Sequence, residues 1–344
     1  MATVSNRAPA LHLAWTSFQR RQVSMADLVG FECVFLPMPA GTKGRLNKAW
    51  QYARLFIYTL GLLRRRRPGT IWFQLPQVPL MWAAMLYWLL FDRRVKLVAD
   101  CHNAMFRPPW SRVPFGLSAL RHCDLVLVHN QAVLKAALAM GLPPHRTRVL
   151  EDVPPLVAAP AAMPAIPAAF AGRPRPWVLF PGSFSADEPV QELLAAARLL
   201  GRGVVVMTGR VANAAKHGHD LSQVPANVVM PGFLSLADFE ALLVHCDVVL
   251  ALTKYDGIQL SVCNEALGFA KPMVVSDTPL LRSLFGSAAV MADSSNPDAL
   301  AQGIAAAAEK IQMLSENAKA LSSKRRTEWS THQLRACLAT LHSA

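Results

Sequence analysis

Short apolar runs alternate along the chain with longer stretches whose apolar residues recur every three or four positions. The runs are Leu11–Trp15, Phe31–Leu36, Thr70–Leu75, Val95–Ala99, Cys123–Val128, Trp177–Phe180, Val204–Met207, Asn227–Met230, Val248–Leu252 and Met273–Val275. Their length and β-branched content predict strands. The intervening stretches predict helices, including one from Met25, one from Val190, one from Ser235 to Val244 and a mostly helical tail from Ala299. Strand–helix alternation of this kind predicts an α/β protein with parallel sheets. In such sheets the loops at the carboxyl ends of the strands line the ligand crevice.

The pattern breaks once. Residues 151–176 hold seven prolines among alanines, a composition that predicts a semi-rigid linker. It separates an amino-terminal domain, 1–150, from a carboxyl-terminal domain, 177–320, with 321–344 as a closing helix. A hexamer echoes across the divide: His122–Leu127 reads H-C-D-L-V-L and His245–Leu250 reads H-C-D-V-V-L. Two doubly wound halves of similar architecture would give such an echo.

Two helical stretches of the first domain are unusual. Over residues 43–67, Leu46, Ala49, Trp50, Ala53, Phe56, Ile57, Leu60 and Leu63 share helical spacing, while Lys43, Arg45, Lys48, Arg54 and Arg64 to Arg67 supply charge. A basic amphipathic helix either lies on an anionic membrane or covers a sheet. The uninterrupted apolar run that follows, Leu80–Phe91, is short of the about 20 residues that a spanning helix needs. It reads as buried or membrane-dipping.

Charge narrows the partners. The 344 residues carry a net charge of +13, 53% hydrophobic content and six cysteines. The excess of cations calls for an anionic partner: nucleic acid, anionic lipid, or a nucleotide or phosphate ligand. The cations are spread, and Trp72, Trp82 and Trp88 lie in apolar runs rather than among bases, which argues against nucleic acid. The scattered cysteines form no C-x-x-C, which argues against zinc and fits a reducing cytosol. No G-x-G-x-x-G appears, so no dinucleotide fingerprint is present. The first ten residues lack a signal-peptide apolar region.

Candidate chemistry concentrates in Thr253–Pro279, T-K-Y-D-G-I-Q-L-S-V-C-N-E-A-L-G-F-A-K-P-M-V-V-S-D-T-P. It reads as loop, helix and strand after an apolar strand, with Asp256 in the loop and Glu265 at or near the helix start. Gly182-Ser183, at another strand-to-helix turn, offers backbone N–H groups to a phosphate. His102 follows a strand in D-C-H-N, and His129 stands similarly in V-H-N.

The set of strand, Asp-Gly, Asn264-Glu265-Ala266 and Lys-Pro-x-Val-Val resembles the nucleotide-sugar glycosyltransferases of the two-domain GT-B fold, especially the retaining family four. Two departures stand out. The first acid is Asp, one residue further from the second than in the family, and the Arg and Lys usual after the first strand of domain two are absent from S-F-S-A-D-E. The resemblance implies two doubly wound Rossmann-like domains facing across a crevice, with the last helix packed back on domain one. It implies sugar transfer from a nucleotide sugar to a lipid-linked or polysaccharide acceptor, with retention and without a metal or other cofactor.

The resemblance implies donor binding by Glu265, at the ribose, and by Asn264, with His102 and Asp256 as the catalytic candidates at the transferred sugar. In place of the absent cations, position after a strand favours Lys254 and Arg210 for the diphosphate, with Lys216 as a substitute, and the turn at Gly182 and Ser183 for a phosphate. Arg20, Arg21 and Arg64, Arg65, Arg66 and Arg67 are expected on the acceptor and membrane side. The expected location is cytoplasmic, peripheral to the inner face of the plasma membrane, with an anionic membrane surface as partner and no nucleic acid. Two alternatives stay open: a nucleotide-sugar epimerase on the same fold, and a non-catalytic anion-binding protein.

Overall fold

The computed structural model describes residues 10–39, 42, 44–157 and 163–343. The first nine residues, Lys43 and residues 158–162 of the proline-rich stretch lie outside the described residues. The chain divides into two compact units. Unit 1 comprises Met1–Val153 and Thr327–Ala344, and unit 2 comprises Pro154–Arg326.

Unit 1 runs β1 (Ala10–Ala14), α1 (Arg20–Val29), β2 (Phe31–Phe35), α2 (Arg45–Arg66), β3 (Thr70–Leu75), α3 (Val78–Leu90) and β4 (Lys96–Cys101). Two 3-10 turns, Asn103–Phe106 and Trp110–Arg112, lead to α4 (Gly116–Leu120), β5 (Leu125–Val128), α5 (Gln131–Ala139) and β6 (Thr147–Val149). The strands form one sheet in the order β2-β1-β3-β4-β5-β6, and every pair is parallel. The order reverses between β1 and β3.

Unit 2 runs β7 (Trp177–Pro181), α6 (Val190–Leu199), β8 (Val204–Thr208), α7 (Ala212–Lys216), β9 (Val228–Gly232), α8 (Leu236–His245) and β10 (Val248–Ala251). It continues with α9 (Ser261–Gly268), β11 (Met273–Ser276), α10 (Pro279–Phe285), β12 (Ala289–Ala292), α11 (Pro297–Glu309) and α12 (Ile311–Glu328). The second sheet is also parallel, in the order β12-β11-β10-β7-β8-β9. Its reversal lies between β7 and β10.

A π turn, Trp329–Gln333, then leads into α13 (Leu334–Ser343), and from Thr327 the chain belongs to unit 1. Trp329, Leu334, Cys337 and Leu341 are buried with Val98, Leu125, Leu127 and Leu150 of that unit. Fully burying a large apolar side chain stabilises by roughly 1.5–3 kcal/mol, so this short segment is firmly held. Its start is fixed by the indole N–H of Trp329, which donates to the Glu151 carbonyl at 2.8 Å.

The hexamer echo has a local cause. Asp124 accepts from the Leu97 amide at 2.8 Å and pairs with Lys96. Asp247 accepts from the Trp177 amide at 2.7 Å and pairs with Arg175. In each sheet the aspartate ties the entry of its strand to the entry of the neighbouring one. The strands themselves, β5 and β10, occupy different places in their sheets, so the echo reflects a shared clamp.

Helix positions differ from expectation in two places. The first helix starts at Arg20, not Met25, because Arg21 and Gln22 are buried along with Met25; polar side chains facing inward hide the pattern. The helix carrying Glu265 starts at Ser261, so Glu265 is its fifth residue and stands away from the amino-terminal dipole. The edge strands β6 and β12 went unread, being three and four residues long and largely half-buried. Among the described residues no helix is long and apolar enough to cross a membrane.

Candidate functional site

In unit 2 the loops after β7, β8 and β10 gather at the carboxyl edge of the sheet. The first two meet backbone to backbone: the Gly182 amide donates to the Thr208 carbonyl at 3.1 Å. A Cβ on Gly209, whose φ is +123°, would stand 2.0 Å from the Gly182 carbonyl oxygen. Only glycine permits that approach. The loop after β10 is tied to the loop after β7 through the Lys254 amide, which donates to the Asp187 carbonyl at 2.7 Å. The Thr253 amide donates to Ser276 Oγ at 2.8 Å.

Gly182 and Ser183 are not open to a phosphate. Buried Glu188 accepts from the Ser183 amide at 2.9 Å, from Ser183 Oγ at 2.7 Å and from the Phe184 amide at 2.7 Å. A carboxylate of the protein's own fills the anion-binding turn, and this corrects the expectation for both residues. The signal was present: an acid five residues past Ser183 is within reach of a turn that bends back on itself.

The two candidate cations differ. Lys254 Nζ pairs with Glu192 on α6 at 2.9 Å. Arg210 is exposed, its guanidinium stacks over the Phe233 ring at 4.8 Å, and among the described residues no carboxylate pairs with it. The expectation that favoured Lys254 rested on position alone and missed Glu192, 62 residues earlier in the chain but adjacent in the fold. Lys216 closes α7 and is exposed. Asp256 is exposed and accepts from the Leu280 amide, at the start of α10, at 3.3 Å. Glu265 is half-buried on α9. Its neighbour Asn264 is buried, and its side-chain amide has no hydrogen-bond partner among the described residues.

In unit 1 the carboxyl edge holds a buried charge network that the sequence reading missed. Asp100, the fifth residue of β4, is fully buried. Arg21 Nε donates to its carboxylate at 3.0 and 3.2 Å and Nη2 at 3.1 Å. The same guanidinium reaches Asp152 at 2.6 Å and the Leu150 carbonyl at 2.8 Å. Arg21 is therefore 6% exposed, which corrects its expected place on a membrane-facing surface. Arg20 remains half-buried and stacks over Phe18 at 5.5 Å.

Burial, the largest single influence, would raise the pKa of both acids, but the Arg21 charge together with the neighbouring imidazoles and hydrogen bonds outweighs it and holds Asp100 well below the carboxylate range and Asp152 below it. Two imidazoles flank Asp100: His12 Nε2 at 3.6 Å and His129 Nε2 at 3.4 Å. Burial pushes the His12 pKa down, against the pull of Asp100. His102 follows β4, and its Nδ1 accepts from the Ala104 amide at 3.2 Å. Its ring meets the His129 ring edge-on at 5.6 Å. Crowding by protein atoms and then His129 lower its pKa to about 4; its solvent-exposed edge screens part of that effect.

Arg64, Arg65, Arg66 and Arg67 end α2, ahead of β3, and so stand at the amino edge of the sheet. They do not share an edge with His102. Arg66 pairs with Glu32.

Comparison with known proteins places this geometry. Residues 175–310, the span of β7 to α11, match the family described as Glycosyl transferases group 1. The matched span lies within unit 2. The whole chain superposes on solved structures with the GT-B fold. HepE of Anabaena, solved with UDP and glucose, matches with a TM-score of 0.69 at 15% identity over 98% of this chain and 100% of that one. Sucrose-phosphate synthase of Thermosynechococcus elongatus matches with a TM-score of 0.68 at 11% identity, again over 98% and 100%. A Listeria monocytogenes chain assigned as a UDP-N-acetylglucosamine 2-epimerase matches with a TM-score of 0.62 at 14% identity, over 98% of each. At such identities the likeness carries the fold, and the fold is GT-B: two doubly wound α/β units. No curated protein matches. Within the matched span, Arg210, Asp256 and Glu265 occupy the carboxyl edge of the sheet or the helix leading from it.

Proposed function

We propose that this protein is a glycosyltransferase that moves a sugar, with retention, from a nucleotide-sugar donor to a lipid-linked or polysaccharide acceptor at an anionic membrane surface. The observation that carries the reading is the position of Asp256 and Glu265 beside the β7/β10 reversal of a glycosyl transferases group 1 domain, where α/β sheets bind ligands. HepE, of the same fold, was solved with UDP and with UDP-glucose, and UDP-sugars are the first donors to test. The basic and apolar surface of α2 and α3 favours a transferase over an epimerase, whose soluble substrate would have no use for it.

In this reading the glycosidic carbon–oxygen bond to the diphosphate breaks, and the leaving group takes the electron pair. Cationic side chains stabilise the charge that develops there, in a role a metal plays elsewhere. Arg210 is the group we assign to it, because its charge is unspent, with Lys254 second. Glu265 accepts from the donor ribose hydroxyls, and Asp256 meets the transferred sugar. In unit 1, His102 is the sugar contact, neutral at pH 7 and therefore a hydrogen-bonding group rather than a charge.

Calorimetric titration with UDP-sugars tests this. Arg210→Ala is expected to cost about 1.5–3 kcal/mol of donor affinity, the worth of a charge-assisted hydrogen bond. Glu265→Gln is expected to weaken binding while the fold stays intact. Wild-type affinity in both variants removes these residues from the site, and the absence of binding by any nucleotide sugar overturns the function.

A further inference from the structure

A cavity of about 570 Å³ opens at the amino edge of unit 1's sheet, between the ends of α2 and α3. Arg67 precedes β3 and Arg94 precedes β4, whereas His102 follows β4. Six residues of strand, about 20 Å at ~3.3 Å each, separate this cavity from His102. Arg64, Arg65, Arg67 and Arg94 line it against a single carboxylate, Asp92. That carboxylate is already held by Arg94 at 3.1 Å. Among the described residues no acid pairs with Arg64, Arg65 or Arg67, and Arg64 rests on the Phe91 ring at 4.7 Å. Guanidinium groups gathered around one hollow repel each other until an anion joins them, and their forked donors suit phosphate oxygens.

An apolar stripe leads to the cavity. Leu46, Trp50, Ile57, Gly61 and Arg64 follow at spacings of four, seven, four and three, and so share one face of α2. Leu46 is 89% exposed, Trp50 66% and Ile57 69%; beside the cavity, Leu90 is 61% exposed. A free phosphate would need the arginines alone. A phosphate that carries acyl chains would need the stripe as well. We propose that this cavity seats the phosphate headgroup of an anionic membrane lipid, with α2 lying along the acyl boundary. The inference deepens the membrane-surface part of the proposed function and rests on it, but it places the lipid contact at the edge of the unit away from the chemistry.

Arg67 supplies a clean probe. It ends α2 in the left-handed conformation, φ +46°, where glycine is the ordinary residue. Arg67→Gly removes the cation and relieves the backbone, so the fold is kept or strengthened, as thermal melting will report. The full chain is sedimented with phosphatidylcholine vesicles, with and without phosphatidylglycerol. Wild type is expected to favour the anionic vesicles, and Arg67→Gly and Arg65→Gln each to weaken that partition about fivefold, the worth of one cation at such a surface. Trp50→Ser is expected to weaken it too. Arg112→Gln, an equal change of charge on an exposed turn at the other edge, is expected to change it less than twofold.

An equal loss in Arg112→Gln would show diffuse attraction and overturn the pocket. Displacement by inorganic phosphate beyond that of chloride at matched ionic strength, with Trp50→Ser partitioning like wild type, would show a small-anion site with no use for the stripe and overturn the lipid. The vesicle assay needs neither donor nor acceptor, so its failure leaves sugar transfer standing, and a failure of sugar transfer leaves its result readable.

Discussion

Replacing Arg21 with methionine tests the buried network that organises the carboxyl edge of unit 1. The guanidinium makes hydrogen bonds to Asp100 at 3.0, 3.1 and 3.2 Å, to Asp152 at 2.6 Å and to the Leu150 carbonyl at 2.8 Å. Methionine fills much of the volume but leaves Asp100, fully buried, with only two imidazoles at 3.4 and 3.6 Å. Removing one partner of a buried ion pair costs about 3–5 kcal/mol, against a typical total stability of about 5–15 kcal/mol. The cost has a ceiling, because Asp100 can escape by taking a proton; 3–5 kcal/mol equals roughly 2–4 pKa units at ~1.36 kcal/mol each. The variant's penalty is therefore expected to shrink as pH falls from 7.5 to 5. Arg21→Met/Asp100→Leu, which removes both charges, is expected to recover a large part of the loss. Hydrogen exchange of the β1 and β4 amides reads unit 1 alone and avoids assuming that both units unfold together. A cost within about 0.5 kcal/mol, the usual size for a surface substitution, would refute the reasoning and return Arg21 to the surface.

The same network sets the acid response of unit 1. His12 and His102 have lowered native pKa values, so below pH ~6.5 the unfolded chain binds protons that the native one does not, and stability falls with acidification by up to ~1.4 kcal/mol per pH unit for buried His12, with a smaller share from His102, whose exposed edge is screened by solvent. The stability contributed by Asp100 and Asp152, also lowered, is present above pH ~3.9 and is lost as pH drops through their native values. Flat exchange protection between pH 7 and 4.5 would sink this, and His12→Phe is expected to reduce the slope. In unit 2, Glu188→Ala orphans the Ser183 and Phe184 amides and the Ser183 hydroxyl. It should cost about 2–3 kcal/mol, and sulfate, which leaves wild type unmoved, should raise the variant's melting temperature as it enters the vacated turn. Sugar transfer is expected to continue in the presence of a chelator, and abolition of turnover by EDTA with rescue by a divalent cation would refute the assignment of Arg210 as the diphosphate's counter-charge.

The strand–helix alternation, the strands of both sheet interiors and the two-unit division were legible in the sequence, because short β-branched runs flanked by polar turns report burial directly. So was the placement of Asp256 in the loop after β10 and of Glu265 on the helix that follows. What the sequence could not rank was the state of each charge. Arg20 and Arg21 look alike in the chain, yet α1 turns Arg21 onto Asp100 and leaves its neighbour half-exposed. Lys254 and Arg210 both follow strands, yet Glu192 answers only one of them. Ser183 looked open until Glu188 folded back on it. Arg64 to Arg67 and His102 stand at opposite edges of one sheet, a separation set by strand direction that spacing along the chain does not encode. Apolar periodicity is local and survives in one dimension. The pairings of Lys254 and Arg21 are set by residues 62 to 131 positions apart and exist only once the sheets are assembled.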